Sequence, residues 1–309
     1  MITNRSHDLL TRARPSGPWG RLAQFPLVRI LIVVLFLVPE ALFHNLTIVH
    51  IVEKMPHPWF TVLLDVVSIL DVALVVFLYS RYTRWIEKRP AVEFGLRGAG
   101  REFGAGALIS VLLVGMAWGA IVIGGSYRVL GVAHPWILLH AAIRFGTGAF
   151  LQVMIFRVIL FRLTDELIGT YAALALAAMI FGLAHAINGN LTASGLAGLI
   201  VGDVLLVAAF ALTRRVWFVW GMHAAWNFCQ DGVLGMPNSG VTELPSWLEV
   251  EVEGPWWLTG GEFGIEASVT ATALSILVGV GILQRARARG QVLRPVWKRV
   301  VELPDPLVE

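Results

Sequence analysis

Apolar residues run along this chain in long blocks separated by short polar stretches. Eight blocks stand out, at roughly 27–52, 58–80, 104–126, 134–163, 169–188, 193–213, 216–231 and 265–284. Most approach the ~20 apolar residues that a helix needs to cross a bilayer. The pattern predicts an all-α polytopic membrane bundle of about eight transmembrane helices. The first block is too long for the apolar region of a signal peptide and has no small-x-small cleavage site beside it. It is expected to be a retained span.

Composition agrees with this picture. Of 309 residues, 57% are hydrophobic and 15% charged, with a mean hydropathy of +0.72; soluble domains carry more charge. The single cysteine, Cys229, excludes an intrachain disulfide and any multi-cysteine metal site. Charge placement tests the span count. Arg5, Arg12, Arg14 and Arg21 precede the first block. Arg81, Arg84, Lys88, Arg89, Arg97 and Arg101 follow the second, and Arg162 ends the fourth. Arg214 and Arg215 separate the sixth from the seventh, and a basic run from Arg285 to Arg299 follows the eighth. The intervening loops hold few basic residues (Lys54 beside Glu53, and Arg128), and 232–264 carries Glu243, Glu249, Glu251, Glu253 and Glu262. Basic residues favour the cytoplasmic side, so both termini are expected in the cytoplasm and the acidic loop outside. The segment 81–103 is basic and amphipathic and is expected to lie as an interfacial helix on anionic lipid.

The chain divides accordingly. Residues 1–26 form a cytoplasmic N-terminal segment, and 27–132 the N-terminal transmembrane helices with their basic loop. Residues 133–231 form a core, 232–264 an acidic extracytoplasmic loop, and 265–309 the last span and a basic tail.

Polar groups inside spans are costly and are functional candidates by default. Those away from span ends are Glu40, His44, Asn45, Asp65, Asp71, His140, Arg144, Gln152, Arg157, His185, Asp203, His223 and Asn227. An isolated member usually makes one interhelical hydrogen bond. That reading suits Asp65 and Asp71, six residues apart and on different faces. His140 and Arg144 share a face near the outer end of span four and are expected at a cavity mouth. Cys229 reads as a buried, inert thiol.

Some of these residues are better organised. His223 and Asn227, in "GMHAAWNF", lie one helical turn apart on one face, and Phe181 and His185, in "FGLAHAIN", repeat that spacing. Gln152 and Arg157, in "FLQVMIFR", are five apart and flank a face rather than share one. The turn near Leu167–Gly169 joins spans four and five. Gln152 precedes it by about 16 residues and His185 follows it by about 17, placing both roughly 24–26 Å away in an antiparallel hairpin. His223 and Asn227 lie about 12–18 Å beyond the Arg214–Arg215 turn. The four side chains are therefore expected to converge within the membrane. Asp203 sits alone in an apolar stretch and is expected to pair with Arg157.

Three motifs in this order resemble those of the CPBP family (CAAX protease and bacteriocin-processing, also Abi) of intramembrane endopeptidases: E-E-x-x-x-R, F-x-x-x-H and H-x-x-x-N. The second is similar to Phe181–His185 and the third to His223–Asn227; the arginine of the first falls on Arg157. The resemblance covers roughly 140–230 and extends weakly to 258–268. It implies a helical membrane bundle around an intramembrane cavity. It also implies that a glutamate and His185 activate water while His223 and Asn227 stabilise the oxyanion. The two glutamates of the first motif are replaced here by Gln152 and Val153. A glutamine amide is neutral and takes no proton from water. The resemblance thus implies a CAAX-protease-like endopeptidase with activity lost or altered. The alternative is a non-catalytic relative that holds a peptide or lipidated tail as an immunity or scaffold protein. Expected partners are membrane lipids and such a peptide or lipidated tail, and no nucleic acid. A divalent metal such as zinc on His185 and His223 is the expected cofactor, on a poor donor set without a carboxylate or thiolate.

Overall fold

The computed structural model describes residues 22–50, 59–188, 190–241 and 245–298, together with Trp19. The basic residues Arg5, Arg12, Arg14 and Arg21, the Glu53–Lys54 pair, Glu243, Arg299 and the Asn45 side chain lie outside the described residues.

Among the described residues there are ten α-helices: α1 Pro26–His50, α2 Trp59–Trp85, α3 Ala99–Ile123, α4 Trp136–Gln152, α5 Arg162–Ile168, α6 Thr170–Ala184, α7 Ala193–Thr213, α8 Val216–Asn227, α9 Trp256–Thr259 and α10 Val269–Ala288. Two start at side-chain caps. Thr192 accepts from Gly195 N–H at the head of α7, and Ser268 accepts from Ala271 N–H at the head of α10. Seven helical stretches among the described residues are long and apolar enough to cross a membrane, as in a polytopic bundle. The remaining expected span, 216–231, is the 12-residue α8 followed by a π-helical segment, Phe228–Val233. It is packed against α3, α4 and α7. Leu31, Leu35, Leu42 and Leu46 on α1 are more than half exposed, the surface expected of a helix against lipid tails.

The fold is not wholly helical. β1 (Tyr127–Val132) and β2 (Leu248–Val252) pair antiparallel, with Tyr127 opposite Val252, and carry the Arg128–Glu251 ion pair. They tie the loop after α3 to the acidic loop.

The longest span, Trp136–Ile168, has 33 residues, which at ~1.5 Å each is about 50 Å, well beyond a hydrocarbon core of ~30 Å. Its protruding end enters a charge network. Arg162 donates to Glu87 at 2.8 Å, Arg89 donates to Glu87 and Glu93 at 2.6 Å, and Arg29 pairs with Glu87 at 3.2 Å and with Glu166. The tyrosines Tyr79 and Tyr82 donate to Glu93 and Glu87 at 3.0 Å. This corrects the expected interfacial helix over 81–103. The α2 helix ends at Trp85, and the chain then turns inward through a short 3₁₀ turn, Val92–Phe94, which buries Glu87 and Glu93. The acids follow the arginines rather than lipid. Burial pushes the Glu87 carboxyl up, but Arg162 and Arg89 override it and hold it below the usual carboxylate range. Glu93 is shifted the same way, with Arg89 and then Arg162 overriding burial.

Close approach defines the other side of the bundle. A Cβ on Gly106 would lie 2.0 Å from the Phe218 carbonyl, and one on Gly221 2.1 Å from that of Phe103. The α3–α8 contact therefore runs backbone to backbone, as small residues allow in membrane helices.

Candidate functional site

The cavity at the centre of the bundle has a volume of about 220 Å³. Gln152, Phe181, His185, Asp203, His223 and Asn227 all line it. The convergence expected from depth and spacing is thus present, although it draws on α4, α6, α7 and α8. At the end opposite the Arg214–Arg215 turn, the wall is made by Asn188, Asn238, Ser239, Val241 and Glu266.

Phe181 is the hub. Its ring lies 4.4 Å from the His185 ring, 6.1 Å from that of His223 and 5.0 Å from that of Phe156, and the Arg157 guanidinium sits 4.6 Å over it. His185 comes just after α6, in a 3₁₀ turn, and its Nδ1 is 2.8 Å from the Phe181 carbonyl. A carbonyl only accepts, so Nδ1 carries the proton and Nε2 of the neutral ring keeps its lone pair. His223 is buried, and its Nδ1 has no hydrogen-bond partner among the described residues.

Arg157 does not line the cavity. It is fully buried behind Phe181 and pairs with Asp203, which is also fully buried. The expected ion pair forms. Val153, at the second glutamate position, is wholly enclosed in the core. Gln152 reaches the cavity wall, but its Oε1 finds no partner among the described residues.

One local feature changes the geometry read from the sequence. From Val153 to Phe161 the helix is π rather than α. A π turn pairs residues five apart, which brings Arg157 Nη1 to 3.4 Å from the Gln152 carbonyl. Their side chains still diverge, Gln152 toward the cavity and Arg157 toward Asp203 behind Phe181, as expected of residues that flank a face. A second π segment follows Asn227 directly, so two of the three motif-bearing helices, α4 and α8, change pitch at the cavity. Such segments recur at functional sites.

The outer polar residues divide. Arg144 lines the cavity and lies 3.5 Å from Asp231. His140 does not; it pairs with Asp65 on α2, and His44 is 2.5 Å from Asp71. Asp65 and Asp71 thus make the interhelical contacts expected of isolated polar groups. Cys229 is a free cysteine and is partly buried.

Two residues escaped the sequence reading. Glu266, in the 3₁₀ turn Ile265–Ala267, lines the cavity, and Gln230 in the second π segment holds it with a 2.5 Å hydrogen bond. Glu266 sits just before α10, within 258–268, where the resemblance is only weak and no motif singles the residue out. Among the described residues, no three His, Cys, Asp or Glu side chains gather as a metal site needs. The two cavity histidines alone fall short of the three protein ligands typical of catalytic zinc.

The comparisons bear on the same region. Residues 134–229 match the family described as type II CAAX prenyl endopeptidase Rce1-like. No curated protein and no solved structure matches the chain. The matched stretch spans α4 to the start of the second π segment and contains Gln152, Phe181, His185, Asp203, His223 and Asn227. Residues 134–229 therefore form a CAAX-protease-like domain within a polytopic helix bundle.

Proposed function

We propose that this protein is an intramembrane endopeptidase that hydrolyses a peptide segment, with a lipidated tail as the candidate substrate class, admitted to the central cavity. The observation that supports this best is the meeting of His185, His223 and Asn227 on one cavity inside a membrane bundle. The His185 Nε2 lone pair can accept a hydrogen bond from a water or relay its proton. His223 and Asn227, one turn apart on α8, can donate to the oxygen of a carbonyl under attack. Preorganised donors of this kind in a low-dielectric cavity are a large source of rate enhancement.

Gln152 takes a different role from the glutamate it replaces. Its amide has no basic lone pair at neutral pH, but it can donate to or accept from a peptide backbone. It is assigned to substrate positioning. Arg157 and Asp203 act beneath the site, where their ion pair fixes the backs of α4 and α7.

A second reading is favoured by Gln152 and Val153 themselves: a cavity that binds a peptide or lipidated tail without cutting it. The two readings separate in one experiment. Purified protein in nanodiscs is incubated with membrane-tethered peptide libraries, some farnesylated, and new termini are mapped by mass spectrometry. Endopeptidase activity predicts termini that disappear in His223→Ala. Saturable binding without new termini supports the second reading and rejects the first.

A further inference from the structure

Three acidic side chains lie on or beside the cavity wall, and two are already neutralised. Asp203 is paired with Arg157. Asp231 lies 3.5 Å from Arg144 and accepts from Ser246 Oγ at 3.0 Å. Glu266 lines the cavity and has no cationic side chain within ion-pair distance among the described residues.

Its position is built from several sides. Ser239 donates to Oε1 through its backbone N–H at 3.1 Å and its hydroxyl at 3.0 Å. Gln230 Nε2 donates to Oε2 at 2.5 Å. The Gln230 amide is itself oriented, because Trp226 Nε1–H donates to its Oε1 at 2.7 Å, leaving the NH₂ toward Glu266. The turn also rests directly on α7: a Cβ on Gly198 would lie 2.0 Å from the Glu266 carbonyl oxygen. A carboxylate has about four lone-pair sites. Three are taken, and one on Oε2 remains.

We propose that Glu266 is the proton-accepting group of this cavity and serves as the general base that Gln152 cannot be. The proposal rests on the endopeptidase reading. The Glu266 carboxylate takes a proton from water as the water oxygen bonds to the peptide carbonyl carbon. The carbonyl electron pair moves onto its oxygen, where His223 and Asn227 meet the charge. On collapse the C–N bond breaks, and the proton held by Glu266 passes to the departing nitrogen. The products are a carboxyl and an amino terminus, with no other reactant consumed.

The electrostatics agree with that role. Burial pushes the Glu266 carboxyl up, against the hydrogen bonds from Gln230 and Ser239, to about 7. A general base works best when its pKa lies near the operating pH. The charged and titratable groups sharing the cavity are His185, His223, Asp203 and Arg144.

The test uses the full chain in nanodiscs. Glu266→Gln is expected to lower turnover by at least about 10²-fold with KM little changed. Glu266→Asp should retain part of the rate, and its acid limb in the pH–rate profile should move away from that of the wild type. A purely structural role would leave the acid limb where it is in the wild type. If Glu266→Gln turns over at the wild-type rate while His223→Ala is inactive, the proposal is overturned and the endopeptidase reading stands. If the wild type cleaves nothing, both the endopeptidase reading and Glu266 as a hydrolytic base are rejected. A readout independent of turnover then decides proton acceptance. Dicyclohexylcarbodiimide modifies protonated carboxyls in apolar sites. Adduct at Glu266 that declines with a midpoint near neutral pH supports a cavity-facing proton acceptor, and no adduct there overturns it.

Discussion

Arg157 and Asp203 form an ion pair in which both side chains are completely shut off from solvent. The pair joins the π segment after α4 to the middle of α7, directly behind Phe181. Breaking a buried pair costs more than removing it whole, because one charge is left uncompensated. Arg157→Met is therefore expected to lose about 3–5 kcal/mol of stability. The double variant Arg157→Met/Asp203→Leu should recover most of that loss. Denaturant unfolding in detergent reads both, and additive effects of the two substitutions would show that the residues are not coupled.

This pair shows how far the sequence is legible. A lone arginine and a lone aspartate in apolar runs have few ways to avoid isolation, so their pairing could be anticipated. Counting residues from the Leu167–Gly169 turn was also enough to bring Gln152 and His185 to one depth. The π segment was not legible. "VMIFRVILF" has no glycine or proline, and its one polar residue, Arg157, does not by itself mark a change of pitch. Glu266 was missed for a related reason: the residues that hold it in the cavity wall, Gln230, Ser239 and Gly198, are each distant in sequence. The charges of 81–103 looked amphipathic because their partners, Arg29 and Arg162, lie on other helices.

Gln152 and the histidines should separate kinetically. Under the proposed roles, His185→Ala and His223→Ala each lower turnover about 10²–10⁴-fold. Gln152→Ala mainly raises KM, because a positioning amide contributes to binding rather than to proton transfer. Initial rates over a substrate range measure this. A Gln152→Ala variant as inactive as the histidine variants would contradict the assignment.

Glu266 gives stability a definite pH dependence. Its carboxyl titrates at about 7 in the folded protein against an ordinary value of 4.5. The native state therefore holds the proton more tightly than the unfolded chain between these values, and stability falls as pH rises from about 4.5 to 7. Glu266→Gln removes that slope. Thermal unfolding between pH 4.5 and 8 checks it, and an unchanged slope in the variant would place the effect elsewhere.

Glu87 acts in the opposite direction. Its folded pKa lies below the ordinary value, so the stability it contributes is present above about pH 4.5 and is lost as pH falls further. Glu87→Gln leaves Arg29, Arg89 and Arg162 short of a shared acceptor. It should destabilise the fold by about 3–5 kcal/mol and flatten the acid limb. Equilibrium unfolding at pH 7 and pH 4 measures both.

Metal removal offers a further check. With the base supplied by Glu266, turnover should survive dialysis against 1,10-phenanthroline. Activity lost to the chelator and restored by zinc would instead place a metal at His185 and His223.

A peptide bond hydrolysed in this cavity must take up one oxygen atom from water. The most direct measurement is cleavage of a membrane-tethered peptide in water enriched in oxygen-18, comparing wild type with His185→Ala/His223→Ala. Hydrolysis predicts a new C-terminal carboxyl carrying the label in the wild type and none in the variant. Peptide that binds the wild-type cavity and is recovered whole and unlabelled would contradict the account.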